Sequence, residues 1–292
     1  MEVIGPRSPL SVAICTNRPW NIRYMLSAAA SLSAGDELLV VLDVADADCA
    51  DLADELGRRG ARLLRNGSNR GLSYSRNQAL AECAHRILVY LDDDITIGSE
   101  TLDAIGRAAA AGAGIIGVLL VPVFPTACPW WLTGGQYHYL GVHHGIDGAR
   151  TWGACMAVDA VLARRHGLNF RQDLGRRGRA LQSGDDTSFL AELRALGATE
   201  RFLTDVQAIH HVSADRQRLS YLIRRAWWQG RSERRRRCLT SAIGKEWNRN
   251  SGPGPSSARR PRRTGLAIGY LSAVVAGGCY EAASRMWCRL AP

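Results

Sequence analysis

The first 121 residues alternate short apolar runs with longer segments in which apolar residues recur at helical spacing. The predicted strands cover residues 10–15, 37–42, 61–64, 86–91 and 115–121, and the predicted helices cover 22–33, 49–59, 73–83 and 102–111. Strands that alternate with helices form a mainly parallel sheet with helices on both faces. The alternation therefore predicts a Rossmann-like α/β/α sandwich.

The residues after 212 differ in composition from the rest of the chain. The 292 residues include 37 Lys or Arg and 27 Asp or Glu, a net charge of +10, and a dense share of the positive excess lies between Arg216 and Arg263. We predict a main domain over residues 8–212 and a helical extension over 213–292. The Gly/Pro/Ser/Arg-rich stretch at about 248–264 is interpreted as a flexible linker, and an apolar helix is predicted over 265–280.

The cysteines and the apolar stretches indicate the compartment. The eight cysteines form no CxxC pair and no regular ladder, which argues against a disulfide framework and a zinc site. Residues 1–9 lack the apolar core of a secretory signal, and no apolar stretch reaches the roughly 20 residues that span a bilayer. We therefore expect a cytoplasmic protein with reduced thiols, able to contact the inner face of the membrane peripherally.

The predicted strand 86–91 runs directly into Asp92, Asp93 and Asp94. Ligands of open α/β sheets bind beyond the carboxyl ends of the strands, where Asn17 and Asp43 also lie. If the strand stays extended, Asp92 and Asp94 project to one side and Asp93 to the other. Carboxylates on one side suit a hard divalent cation that also binds phosphate oxygens. For the tripeptide alone, an acidic turn or a helix N-cap is the alternative.

Two more carboxylates, Asp185 and Asp186, precede a short amphipathic helix that Gly197 ends. One of them could simply cap this helix. The cap accounts for one aspartate more easily than for two. A carboxylate here could serve as general base on an acceptor hydroxyl.

Residues 69–77 read Asn-Arg-Gly-Leu-Ser-Tyr-Ser-Arg-Asn, which is typical of a turn that leads into a helix. Arg76 could pair with a phosphate through its planar fork of donors, close to the helix N-terminus. An Arg at such a position is by itself usually a solvated charge.

His210 and His211 end a short segment. A His pair is more often structural than ligating. Imidazole becomes a candidate ligand where a metal site is already needed nearby.

Taken in order, these segments resemble the family 2 glycosyltransferases over residues 11–232. The matching features are Thr16-Asn17-Arg18, the strand ending on Asp43, the pattern from Asn69 to Asn77, Leu91 to Asp94, Gly153 to Ala157, Gly184-Asp185-Asp186, and the His210 region followed by Arg225 and Gly230-Arg-Ser232. Asp185 stands where Glu is usual. The resemblance implies the GT-A fold and an inverting glycosyltransferase that uses a nucleotide sugar and Mn²⁺ or Mg²⁺.

The resemblance also implies a role for each site residue. It assigns nucleotide-sugar binding to Thr16, Asn17, Arg18, Asp43, Asn69, Arg76, Asp92 and Asp93, metal binding to Asp94 and His210, an acceptor-side position to Trp152, Gly153 and Asp185, and the role of general base to Asp186. Whether Asp93 or Asp94 holds the metal more directly stays open. A UDP-sugar is the default donor, and the acceptor is a saccharide, a lipid-linked saccharide or a small molecule.

Two other classes of protein fit part of the pattern. A metal-dependent nucleotidyltransferase would usually carry a Gly-rich basic loop after the first strand, which residues 16–20 do not form. The Arg-rich run around Trp227 and Trp228 could instead make the chain a basic membrane- or nucleic-acid-binding protein. An apolar helix follows this run, which favours a membrane or acceptor contact, and no nucleic-acid partner is expected.

Overall fold

The computed structural model describes residues 7–45, 49–129, 131–132, 134–236 and 260–290, with the side chains of the last helix described over 268–284. These residues form two compact units. The first contains residues up to 123 together with 141–172 and 185–211, and the second contains 124–140, 173–184 and the residues from 212 onward. The predicted division at residue 212 stays a prediction.

The first unit is built on eight strands and six helices. The strands are β1 (Leu10–Thr16), β2 (Glu37–Leu42), β3 (Arg62–Arg65), β4 (Ile87–Asp92), β5 (Ile95–Ile97), β6 (Ile115–Val123), β7 (Cys155–Asp159) and β8 (Glu200–His211). Its helices are α1 (Ile22–Ala30), α2 (Ala50–Arg58), α3 (Leu72–Glu82), α4 (Ser99–Ala110), α6 (Ala160–Arg165) and α7 (Asp185–Ala195). The second unit contains α5 (Tyr137–Leu140), α8 (Leu219–Arg235) and α9 (Arg260–Leu290).

The strands form one sheet in the order β3-β2-β1-β4-β7-β6-β8-β5. Strands β3, β2, β1 and β4 are parallel to one another, and β8 is parallel to β6. Strand β7 is antiparallel to both β4 and β6, and β5 is antiparallel to β8. The sheet is therefore mainly parallel, as predicted, and β5, β7 and β8 are the strands that the sequence did not reveal.

Alternate residues of the central strands enter two different cores, one on each face of the sheet. Val12, Val40 and Val89 pack in one core with residues of α1, α2 and α4. Ala13 and Leu88 pack in the other core with residues of α3, α6 and α7. This arrangement is the predicted α/β/α sandwich.

Strand β4 ends at Asp92, and the chain turns at Asp93 and Asp94 before β5 begins. The condition that the strand stays extended through the aspartates is therefore not met. The strict alternation of the three side chains fails for the same reason. The turn lets Asp93 and Asp94 face one common partner, Arg18.

In the second unit, α8 and α9 approach each other closely at two glycines. A Cβ atom on Gly230 would lie 1.7 Å from the carbonyl oxygen of Val274, and one on Gly277 would lie 1.9 Å from that of Trp227. Only glycine permits this backbone contact. Residues 248–259 of the predicted linker lie outside the described residues. The rest of that stretch, from Arg260, belongs to α9.

Candidate active site

Asp43, at the end of β2, organises the loop that leads into α3. Its Oδ1 accepts hydrogen bonds from the Asn66 side chain at 2.6 Å and the Arg70 N–H at 2.8 Å, and its Oδ2 accepts one from the Gly71 N–H at 2.9 Å. Gly71 has a φ of 98°, a conformation that favours glycine. The buried carboxylate thus fixes the entry of α3 beside the carboxyl end of the sheet.

Asp93 is held by the segment that follows β1. The Thr16 hydroxyl donates to its Oδ2 at 2.5 Å, and Arg18 donates to both of its oxygens. Burial raises the pKa of Asp93 to about 6, with the Arg18 charge opposing this shift and the neighbouring Asp94 charge adding to it. Because its oxygens are already engaged, Asp93 holds the Thr16 to Arg18 segment in place and is a poor candidate for a direct metal ligand.

Asp94 lies against His210, which the pairing of β5 with β8 brings to this edge of the sheet. The distance from Asp94 Oδ1 to His210 Nε2 is 3.2 Å, and both residues are buried. His210 Nδ1 lies 3.3 Å from the carbonyl oxygen of Gly141. Because a carbonyl can only accept, Nδ1 carries the proton, and Nε2 is the nitrogen directed at Asp94.

These two donor atoms fit a divalent cation that takes its other ligands from phosphates and water. Among the described residues, no cluster of three or more His, Cys, Asp and Glu side chains has metal-ligand geometry. Mg²⁺ sites on nucleotides commonly use only one or two carboxylates besides phosphate oxygens. Arg18 Nη2 also lies 3.2 Å from Asp94 Oδ2, so positive charge already faces this carboxylate.

Arg76, on α3, joins three parts of the site. Its guanidinium lies 3.0 Å from Asp185, 2.8 Å from the carbonyl oxygen of Gly153 and 3.4 Å from Asp92. Burial alone lowers the pKa of Arg76, but the charges of Asp185, Asp92 and Asp186 outweigh it, and the pKa is raised. A charged Arg76 therefore connects the carboxyl end of β4 with the start of α7.

Asp185 and Asp186 have different environments at the start of α7. Asp185 is buried and accepts from Ser73 at 2.9 Å as well as from Arg76. Burial raises its pKa, although the Arg76 charge opposes this. Asp186 is only half-buried, and its Oδ2 accepts from the Gly153 N–H at 2.8 Å. Asp186 is thus the less buried of the two carboxylates, with its Oδ1 accepting from the Thr187 N–H at 2.7 Å, and Asp185 is hydrogen-bonded to Arg76.

Trp152 and Gly153, the residues predicted to lie on the acceptor side, precede β7. Trp152 is half-buried, and the distance between its ring centroid and that of His143 is 5.3 Å. A Cβ atom on Gly153 would lie 2.8 Å from Asp186 Oδ2 and 3.0 Å from Arg76 Nη2. Only a residue without a side chain therefore fits between the Asp186 and Arg76 side chains.

The remaining predicted residues lie around this cluster. Asn17 is exposed at the end of β1, and Asn69 is half-buried in the loop that Asp43 organises. Asn66 and Ser73 belong to the site network, and sequence reasoning missed them. The only signal for either was its position in the loop and helix around the Asn69 to Asn77 pattern.

Comparison with known proteins assigns the family. The family model described as "Glycosyl transferase family 2" matches residues 11–160, which is half of the chain and includes β1 to β7. The chain belongs to glycosyl transferase family 2. As a member of this family it is a glycosyltransferase enzyme, and the nucleotidyltransferase alternative is not favoured.

This family 2 glycosyltransferase is similar to a curated protein and to several solved structures. It is 26% identical over 237 residues to the succinoglycan biosynthesis protein ExoM of Rhizobium meliloti (strain 1021), covering 77% of this chain and 74% of that protein. It superposes on the mannosyltransferase PcManGT of Pyrobaculum calidifontis, solved with GDP-Man and Mn²⁺, with a TM-score of 0.62 and 17% identity. The superposition covers 96% of this chain and 88% of PcManGT. It also superposes on residues 1–349 of S. aureus TarS, solved with UDP-GlcNAc, with a TM-score of 0.54 and 12% identity. That superposition covers 95% of this chain and 92% of the TarS chain. The fold of this glycosyltransferase is therefore GT-A.

The family 2 glycosyltransferase has no membrane-spanning helix in the part of its chain that the structure describes. None of the helices there is both long enough and apolar enough to cross a bilayer.

Proposed function

We propose that this enzyme transfers a sugar with inversion from a nucleoside diphosphate sugar to an acceptor hydroxyl, with a divalent metal at Asp94 and His210 and with Asp186 as the base. The observation that carries the proposal is the 3.2 Å contact between Asp94 Oδ1 and His210 Nε2. A carboxylate and an imidazole nitrogen directed at each other at a strand end suit Mn²⁺ or Mg²⁺ bound together with a diphosphate.

The donor is proposed to bind across the ends of β1, β2 and β4. The residues assigned to it are Thr16, Asn17, Arg18, Asp43, Asn69, Arg76, Asp92 and Asp93. Asp92 is the least buried carboxylate of the triplet, with 29% of its side chain exposed, and can reach a ribose hydroxyl. PcManGT was solved with GDP-Man and Mn²⁺, and TarS with UDP and with UDP-GlcNAc. These ligands support a nucleotide-sugar donor, with a UDP-sugar as the default.

The proposed reaction is a single displacement. The acceptor oxygen attacks the anomeric carbon as the bond from that carbon to the phosphate oxygen breaks, and the electron pair leaves with the nucleoside diphosphate. Asp186 takes the acceptor proton, which requires hydrogen-bond reach of that hydroxyl. The bound metal would offset the charge on the leaving diphosphate. One displacement at one carbon inverts its configuration.

The acceptor is proposed to lie along Trp152 and Gly153, next to Asp186 and Asp185. The half-buried Trp152 ring can stack on a saccharide. ExoM is a succinoglycan biosynthesis protein, which supports a saccharide or lipid-linked saccharide acceptor in polysaccharide biosynthesis.

The test is the release of nucleoside diphosphate from a panel of UDP-, GDP- and dTDP-sugars, with a lipid extract and oligosaccharides as acceptors. We expect release with one nucleobase class that requires Mn²⁺ or Mg²⁺ and an acceptor, and that is lost in Asp186→Asn. An enzyme that turns over its donor equally well in EDTA would contradict the metal assignment. Unchanged turnover in Asp186→Asn would contradict the assignment of the base.

A further inference from the structure

Helix α9 carries an uncharged stretch from Thr264 to Tyr280, and only one side of it is packed against protein. Tyr270, Val274, Gly277 and Glu281 are buried at the spacing of one helix face. The opposite side carries the exposed residues Ile268, Ser272, Val275, Ala276, Cys279 and Tyr280. We refer to these six residues as the α9 apolar face.

The exposure of this face is large for apolar side chains. Ile268 is 52% exposed, Val275 37% and Tyr280 54%. Contiguous exposed apolar residues on a helix mark an interaction surface more often than scattered single ones do. Because the opposite side of α9 is buried at Tyr270, Val274 and Glu281, a lipid contact of this face would be made at the membrane surface.

Aromatic side chains and an arginine adjoin this face. The Arg231 guanidinium lies 5.0 Å from the Trp227 ring centre, 4.5 Å from that of Trp228 and 4.8 Å from that of Tyr280. Both tryptophans are half-buried. Trp, Tyr and Arg are amphipathic residues that favour the boundary between apolar chains and water.

The charge of the segment that precedes α9 identifies the partner. Between Arg216 and Arg236 the sequence has eight basic residues and only one acidic residue. Arg231 and Arg235 pair with Glu281, whereas Arg224 and Arg234 are exposed. Such an excess attracts an anionic surface, whereas it would repel the same segment of a second copy of the chain.

We propose that the α9 apolar face inserts shallowly into an anionic lipid bilayer, with the basic residues of segment 216–236 bound to its headgroups. This surface goes beyond the transfer reaction and does not depend on it. The two contributions act together, since apolar burial fixes the depth and charge selects anionic lipid.

The experiment is flotation of the full chain with vesicles of phosphatidylcholine alone and of an equimolar mixture of phosphatidylcholine and phosphatidylglycerol. We expect flotation with the anionic vesicles that weakens at high salt. Ile268→Glu/Val275→Glu places two charges on exposed positions of the α9 apolar face and should weaken vesicle binding at least about tenfold. The matched control, Ile146→Glu/Val161→Glu, changes two exposed apolar residues of the first unit and should float like the unchanged chain.

Thermal melting and nucleoside diphosphate binding of both variants check that the fold is intact. Two results would overturn the proposal: no binding of the unchanged chain to anionic vesicles, or equal binding by Ile268→Glu/Val275→Glu. Light scattering could give a third result that overturns the proposal. If the unchanged chain is a dimer that does not bind lipid, and the Ile268→Glu/Val275→Glu variant is a monomer, this face is a contact between copies of the chain.

Discussion

The Asp186 carboxylate accepts a hydrogen bond from the backbone N–H of Gly153 at 2.8 Å. The carbonyl oxygen of the same glycine accepts from Arg76 at 2.8 Å. Gly153 therefore ties the proposed base to the buried arginine that contacts Asp92 and Asp185. The position of Asp186 depends on a residue with no side chain of its own.

Asp186→Asn should abolish transfer without unfolding the protein. The amide cannot take the acceptor proton, and general-base catalysis contributes a factor of about 10²–10⁴ in rate. Metal-dependent binding of the nucleoside diphosphate should persist, since Asp186 is not assigned to the donor. Steady-state kinetics checks the loss of transfer, and a binding titration on the same preparation checks that nucleoside diphosphate binding is retained. Near-normal turnover would remove Asp186 from the role of base.

Gly153→Ala should lower kcat by roughly tenfold or more, because a misplaced catalytic group costs rate even when it is present. The added methyl would lie 2.8 Å from Asp186 Oδ2 and 2.9 Å from Asp186 Cβ, so the carboxylate must move. Gly57→Ala is the control, since nothing lies within 4 Å of its Cβ position in α2. That variant should keep full activity and gain up to about 1 kcal/mol in stability. Equal kcat in the two variants would argue against a positional role for Gly153.

Arg18→Ala should destabilise the fold by about 2 kcal/mol, because it leaves the buried Asp93 beside Asp94 without its cation. Adding Asp93→Asn removes the uncompensated charge and should recover part of the loss. Urea unfolding of the two single variants and the double variant measures the coupling. Strictly additive effects would show that the coupling free energy between Arg18 and Asp93 is zero.

His143 should make a contribution to stability that is lost as the pH drops below about 6.5. Burial lowers the pKa of His143 below its ordinary value. Its Nδ1 accepts from the Leu120 N–H at 2.9 Å, so the folded protein holds the neutral ring. As the pH falls, His143 is protonated in the unfolded chain before it is protonated in the folded protein. Its contribution to stability is therefore lost between about pH 6.5 and the lower pKa of the folded state.

His143→Asn removes the titrating group and keeps an acceptor for the Leu120 N–H. The free energy of unfolding of this variant should change less between pH 7 and pH 5 than that of the unchanged chain, even if its absolute value is lower. Parallel pH profiles for the two proteins would contradict a neutral, buried His143. Urea unfolding at a series of pH values makes the comparison.

The core of the fold could be predicted from the sequence because β1, β2, β4 and β6 are continuous apolar runs that alternate with helices. Strands β5, β7 and β8 were not predicted. Strand β5 has three residues, and β8 mixes exposed and buried positions along its length. Their pairing depends on contacts between distant parts of the chain, which local periodicity does not contain.

Candidate site residues could be proposed from their motifs, but their contacts could not. The strand alternation suggested that Asp93 points away from Asp94, whereas the turn after Asp92 brings both to Arg18. The difference between Asp185 and Asp186 depends on burial, and no property of the two adjacent aspartates in the sequence reveals it. His210 became a stronger candidate ligand only when the pairing of β5 with β8 placed it against Asp94.

The most direct measurement is a calorimetric titration of nucleoside diphosphates into the unchanged chain and into Asp94→Ala, each with Mn²⁺ and with EDTA. The proposed site predicts that one nucleoside diphosphate binds the unchanged chain at least about tenfold more tightly with Mn²⁺, and that Asp94→Ala removes this difference while its melting temperature stays near that of the unchanged chain. Equal affinity in Mn²⁺ and EDTA, or a Mn²⁺ dependence that survives in Asp94→Ala, would contradict a metal-assisted donor site at Asp94 and His210.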